Sequence, residues 1–268
     1  LLEAETGQRL LNRTGRGVTP TDAGFALLGH AKAMLEIADR ARDELRDLAA
    51  SPRGRVTIGL PPRVAHVLAA PLVNRFRARF PHAVITVAEA LSLHLREWLV
   101  AGRLDLALLF DPPPVPQLEY RTLVREPLLV VAPAGSRLPA RVGLARLATM
   151  PLVMPSMPNA LRALVEGEAR ARGVALQVVA EVDSVHTVLA LVRSGAGSTV
   201  LPQSGLDAYG GARRLRVATL GPPAVRNRLV LAMPRSRPQT RLARETVALV
   251  MALDFIALHR ADGALGAK

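Results

Sequence analysis

The sequence predicts an α/β protein of two open lobes set behind a long amphipathic helix. Three observations carry that expectation. An apolar heptad stripe covers the early part of the chain, strand and helix signals alternate after Gly54, and the same alternation starts again at Leu152. At 268 residues the chain suffices for one large or two medium cores, and 50% hydrophobic content argues against disorder.

The long helix opens at Thr21, placed to cap its first turn, and meets no proline before Pro52. Leu27, Ala31, Met34, Ala38, Ala41, Leu45 and Leu48 recur at alternating steps of four and three, which is a heptad seam. Residues of both charge signs lie between them, as on a wet face. The small alanines admit a second helix closely. Ser51-Pro52-Arg53-Gly54 then reads as a hinge-like breaker. A free-standing amphipathic helix must bury its stripe in a partner, so the seam is read as a dimerisation surface. The alternative is packing against its own domain.

Ahead of the helix, Leu10-Leu11 is an apolar pair expected to bury. Gly15 and Gly17 permit a tight turn that presents Arg13 and Arg16 to an anion, phosphates or the minor groove among them. Alone, such a tip is equally an ordinary solvated loop.

After the breaker, residues 55–60 read as a strand and Pro61-Pro62 separates it from a helix beginning near Val64 and ending before Pro81. A strand over Val84 to Ala88, a helix over Leu93 to Ala101 and a strand over Leu104 to Phe110 follow. The second series runs Leu152 to Met154 (strand), Asn159 to Arg172 (helix), Val174 to Glu181 (strand), Val185 to Arg193 (helix) and Thr199 to Leu201 (strand). Gly102 and Gly195 close equivalent helices in the two series. Leu128 to Ala132 and Leu229 to Ala232 are apolar extended segments, expected as the crossings between lobes, and a last helix spans Thr240 to Leu258. Two such lobes enclose a cleft at the carboxyl ends of their strands, where ligands bind.

The formal net charge is +13, nearly all of it arginine, since Lys32 and Lys268 are the only lysines. That balance suits an anionic partner such as nucleic acid, or is a solvated compositional bias. With no cysteine, disulfides, thiolate metal sites and cysteine nucleophiles are excluded. No signal peptide and no uncharged apolar span is visible, so the expectation is a cytoplasmic protein without a membrane partner. The histidines form no ligand cluster, Gln203-Ser204-Gly205 is no nucleophile elbow, and Gly195-Ala196-Gly197 is no phosphate loop. No enzyme activity, cofactor or metal is expected.

The segment from Leu10-Leu11 through Thr21-Asp22-Ala23-Gly24 resembles the wing and linker-helix start of the LysR-type transcriptional regulators. Family members usually carry an aromatic at Leu11 and a leucine at Pro20. Further landmarks follow in order: Gly54-Arg55-Val56-Thr57-Ile58-Gly59, Arg79-Phe80-Pro81, Glu89-Ala90-Leu91-Ser92, Ala101-Gly102-Arg103-Leu104-Asp105-Leu106-Ala107, and Val192-Arg193-Ser194-Gly195-Ala196-Gly197 to Leu201-Pro202. The resemblance implies a two-lobed, periplasmic-binding-protein-like effector domain behind a linker helix and a remnant of a winged helix-turn-helix whose larger part lies upstream of Leu1. The implied divisions are 1–20 for the wing, 21–52 for the linker helix and 53–268 for the effector domain. Within the last, lobe I takes about 53–125 and 230–268, and lobe II about 126–229.

The implied partners are promoter DNA, a small-molecule effector and further copies of the chain, as dimer or tetramer. The alternatives are a truncated regulator that no longer reads DNA and a solute-binding protein of similar fold. Positions just after the strands should face the cleft: Pro62, Arg63 and Val64, then Ser92, Phe110, Ser156, Ser184, His186 and Thr199. The resemblance places inducer contacts at Arg63, Ser92 and Ser156, and a cleft-facing Arg63 favours a carboxylate. Ser92 and Ser184 serve equally as helix caps, Arg63 equally as a surface arginine, and His186 reads first as structural.

Overall fold

The structure, a computed structural model, describes residues 1–15, 17–47, 53–210, 212–235 and 238–255. Arg16, Leu48 and Leu258 lie outside the described residues, as do the side chains of Ala41 and Leu45.

A short helix α1 (Leu2–Thr6) leads into an antiparallel hairpin of β1 (Leu11–Thr14) and β2 (Gly17–Pro20), with Thr14 opposite Gly17 at the tip. The Glu3 carboxylate accepts the amides of Leu10 at 2.7 Å and Leu11 at 3.0 Å, anchoring the chain as it enters β1. Leu10 is buried and Leu11 is exposed, so only half of the apolar pair is covered. Successive strand side chains face opposite ways, and in this two-stranded ribbon only one face meets the following helix. Thr21 caps that helix as expected: its Oγ1 accepts the Gly24 amide at 3.0 Å while its hydroxyl donates to the Arg9 carbonyl at 2.6 Å.

Helix α2 (Asp22–Asp47) carries the seam. Leu27 and Ala31 are half-buried, whereas Met34 is 60% and Leu35 66% exposed. Ala38 is exposed beside them.

Lobe I begins with β3 (Gly54–Leu60), α3 (Pro62–Arg79), β4 (Ala83–Glu89), α4 (Ser92–Val100) and β5 (Leu106–Phe110), β3 lying parallel between β4 and β5. A long strand β6 (Leu118–Pro133) runs on into lobe II. There follow β7 (Arg141–Val142), α5 (Leu144–Leu147), β8 (Leu152–Met154), α6 (Ala160–Arg170), β9 (Val178–Glu181), α7 (Val185–Arg193), β10 (Thr199–Pro202), α8 (Gln203–Asp207) and β11 (Leu215–Leu220). The chain returns through β12 (Arg226–Pro234) and ends in α9 (Arg241–Met251), capped by Thr240. The main sheet has the order β4-β3-β5-β12-β6-β11-β7, with β10 also on β6, while β8 and β9 pair parallel beside it.

The apolar segments expected as crossings are core strands on either side of them. Leu128 to Val131 pairs with β10 inside lobe II, and Leu229 to Ala232 pairs with β5 inside lobe I. The crossings fall just before each, where Pro127 is opposite Arg226 and the Leu128 amide donates to the Val225 carbonyl at 2.8 Å. Apolar runs mark where a strand is covered on both faces, and a hinge is not.

Two strands begin later than the sequence suggests, each behind a glycine that caps a helix. Gly102, Gly173 and Gly195 all take positive φ (78°, 68° and 90°). Behind each, an amide reaches back to close the helix: Arg103 to Trp98 at 2.8 Å, Val174 to Ala169 at 3.0 Å, Ala196 to Leu191 at 3.0 Å. The residue after each glycine therefore finishes a helix, and the strands start at Leu106 and Val178 rather than at Leu104 and Val174. The same cap in both lobes is the physical form of their internal similarity.

Strand β5 shows how the core is divided. Leu106, Leu108 and Phe110 pack with Leu68, Leu72 and Phe76 of α3 and Leu242 of α9, while Ala107 and Leu109 pack with Leu95 and Leu99 of α4. Period-two alternation in a strand covered on both sides sends every residue into one of two apolar layers. Lobe II repeats the arrangement, with Leu128 and Val130 facing α6 and Leu129 and Val131 facing α7.

Candidate functional site

Each of β3, β4, β8 and β9 is followed by a helix, and all four helices begin on one cavity of about 370 Å³ between the lobes. Pro62 and Arg63 of α3 and Ser92 of α4 come from lobe I; Asn159 and Ala160 at α6 and Ser184 and Val185 at α7 come from lobe II. Helix N-termini carry partial positive charge and outward-pointing amides, so their convergence favours an anion. Leu161, Val188 and Leu201 supply apolar wall.

The expected positions divide cleanly. Pro62, Arg63, Ser92, Phe110 and Ser184 line this cavity. Val64 lines a neighbouring one of about 240 Å³. Ser156, His186 and Thr199 are not on the wall. The hydroxyl and amide of Ser156 donate to Asp183 Oδ1 at 2.5 and 3.0 Å. These bonds hold the Asp183 carboxyl below the usual aspartate range, the hydroxyl contributing most. His186 is exposed on α7, and Thr199 is fully buried within β10 with Oγ1 unpaired.

Ser92 does not cap its own helix, because the cap residue of α4 is Leu91. Its Oγ accepts the Phe110 amide at 2.9 Å, closing the end of β5 and leaving the hydroxyl proton for other partners. Ser184 does cap α7, accepting the Thr187 amide at 3.5 Å, and Asn159 caps α6 through the Leu161 amide at 2.9 Å.

Arg63 is neither solvated nor unopposed. Its Nη1 donates to Ser204 Oγ and lies 3.5 Å from Glu126 Oε1. Ser204 passes the link on, its hydroxyl donating to Glu126 Oε1 at 2.5 Å and its amide to Oε2 at 2.9 Å. The guanidinium carbon stands 4.2 Å from the Phe110 ring centroid, within cation–π range. Burial pulls the Arg63 pKa below the usual arginine range, and the Glu126 carboxylate pulls it back up. Lobe I, the crossing strand and lobe II thus meet at one largely covered ion pair.

Sequence reasoning missed Asn227, Tyr209 and Asp111. Asn227 lines the cavity, is 2% exposed, and leaves Oδ1 without a partner while Nδ2 reaches Asp111 at 3.5 Å. An amide ahead of the apolar run Leu229-Val230-Leu231 was the available signal. Tyr209 stacks on His66 of α3 at 4.8 Å across the lobes, a pairing no sequence spacing announces. Asp111 adopts φ 41° and accepts the Arg228 amide at 3.1 Å; burial pushes its carboxyl up. It borders a third cavity of about 430 Å³ with Arg96 and Met157.

Among the described residues no group of three or more histidine, cysteine or acidic side chains could hold a metal ion. No described helix is long and apolar enough to cross a membrane.

The sequence model of the LysR substrate binding domain matches residues 49–253, the span of both lobes. The chain belongs to the LysR-type transcriptional regulators. It is 34% identical over 235 residues to the nitrogen assimilation regulatory protein nac of Klebsiella aerogenes, covering 87% of this chain and 76% of that one. A single-residue variant of full-length OxyR from Pseudomonas aeruginosa superimposes with a TM-score of 0.73 at 21% identity, over 95% of this chain and 83% of that one. Full-length CbnR complexed with its target DNA gives 0.58 at 23% identity, over 98% and 86%. At those identities the two structures show a shared fold. For this LysR-type regulator, the inter-lobe cavity is therefore the candidate effector site.

Proposed function

We propose that this LysR-type regulator responds to a small organic anion bound between its lobes. The observation that carries the reading is the convergence of four helix N-termini on one apolar-walled cavity of about 370 Å³. Pro62, Arg63, Ser92, Phe110 and Ser184 line it together with Asn159, Asn227 and Asp183, whose carboxylate is held by Ser156. The effector would bias the angle between the lobes and so the oligomer that holds the DNA contacts.

The exposed apolar face of α2 around Met34 supports pairing of two copies through residues 21–52. The hairpin at 11–20, with exposed Arg13, fits a wing holding a phosphate backbone; the CbnR complex with DNA supports the same role by analogy of fold. A cytoplasmic transcription factor without enzymatic activity accords with the relatives, which are regulators. A solute-binding role is disfavoured by the seam on α2 and by that kinship.

A thermal-shift screen of acetate, butyrate, succinate and phenylacetate against their primary amides tests the reading. Carboxylates should stabilise the wild type and leave Ala160→Trp, which fills the cavity, unchanged. Stabilisation by the amides alone, or equal stabilisation of the Ala160→Trp variant, overturns it.

A further inference from the structure

Arg63 faces two cavities, and within the protein it already has an anion. Glu126 reaches it from β6 at the point where the chain crosses between lobes, and Ser204, in the first turn of α8, bridges the two. Both Glu126 oxygens are held by Ser204, and the side chains of Arg63 and Glu126 are 12% and 15% exposed. In that setting charge interactions are strong, and an arginine with one carboxylate beside it is close to neutral. A second carboxylate arriving from the cleft would meet a compensated cation.

We propose that Glu126 is a built-in competitor for Arg63: it sets the affinity of the cleft for an anionic effector, and effector binding loosens Arg63 from Ser204 and so from α8. The proposal rests on the anion-sensing reading above. Arg63 offers five N–H donors, and the hydrogen bond formed here uses Nη1 alone, so another edge of the guanidinium is available to a ligand in the cleft. A ligand carboxylate drawing on that edge weakens the hold of Glu126 through shared charge. Ser204 belongs to lobe II, which makes the ion pair a tie between lobes. Its loss or gain changes the cost of moving one lobe against the other.

Calorimetric titration of the full chain with the same four carboxylates tests this. Glu126→Gln keeps the side-chain shape and removes the competing charge. It should bind at least one of them about tenfold more tightly than the wild type, since the largely covered Arg63 then has no other ion-pair partner among the described residues. Ser204→Ala retains both charges and removes the bridge, and should bind a few-fold more tightly. If Glu126→Gln does not fold, the Ser204→Ala comparison decides alone. In the wild type, saturating carboxylate should also shift the guanidinium NMR signal of Arg63, whose Nη1 donates to Ser204 Oγ. Binding of equal strength in wild type and variants overturns the competitor role and leaves anion sensing standing. No binding of any carboxylate to any form overturns both. An unchanged Arg63 signal with bound carboxylate overturns the release of α8.

Discussion

The Phe110 amide donates to the Ser92 hydroxyl at 2.9 Å, so the first residue of α4 closes the last residue of β5. Ser92→Ala leaves that amide without its acceptor at a site where Phe110 is buried. An unsatisfied buried amide costs about 1–3 kcal/mol. Denaturant unfolding should show a loss in that range with an unchanged m-value. A loss below about 0.5 kcal/mol would mean that water replaces the hydroxyl.

Gly24 sits where α2 presses on the chain leaving α1. A Cβ there would stand 2.1 Å from the Leu10 carbonyl oxygen, a backbone atom that cannot move aside alone. Gly24→Ala should destabilise the hairpin–helix junction by about 2 kcal/mol, in the usual range for overpacking. The Thr21 amide, which donates to that same carbonyl at 3.0 Å, should exchange about thirtyfold faster. The melting of the two lobes should not change.

Met34 is 60% exposed on a helix that has apolar neighbours along the same side. In a two-fold pair its burial counts twice, at about 1.5–3 kcal/mol each. Met34→Glu should therefore shift sedimentation from dimer towards monomer, without lowering the melting temperature of the lobes. Lys32→Glu, between the same turns, serves as the charge control. Sedimentation of Met34→Glu identical to wild type would remove this face from the oligomer.

Asp183 carries a pH dependence whose sign follows from Ser156. Its carboxyl is held down chiefly by the Ser156 hydroxyl and then by the amide. A lowered folded value stabilises the protein above the unfolded pKa, about 3.9, and that contribution is lost as pH falls through the folded value. Asp183 is exposed, so the effect is small. Ser156→Ala should raise the Asp183 midpoint in an NMR titration. The stability difference between wild type and variant at neutral pH should close on acidification.

Much of the fold was legible because period and punctuation are local. The heptad steps from Leu27 to Met34, the Thr21 cap, and strands stopped before Pro61 or at Pro202 are visible in single stretches of chain. Boundaries slipped where a glycine cap reached past the glycine, as after Gly102 and Gly173. At the candidate site, the rule that ligands lie at strand carboxyl ends placed Pro62, Arg63, Ser92 and Ser184 near the cleft, and these residues line the cavity. The rule says nothing of side-chain direction. Ser156 follows β8 as expected and turns to Asp183, and Thr199 points into the lobe.

The amino-acid order by itself determined the α/β alternation, the heptad steps, the two similar lobes and the kinship, since each rests on residues close together in the chain. Tertiary structure alone decided what Arg63 is. Glu126 and Ser204 are remote from it in sequence and belong to a crossing strand and to the other lobe. Whether an arginine is a free anion receptor or half of a buried pair depends on which distant carboxylate the fold brings within hydrogen-bond reach, and electrostatic energy in a dry site follows distance, not sequence separation.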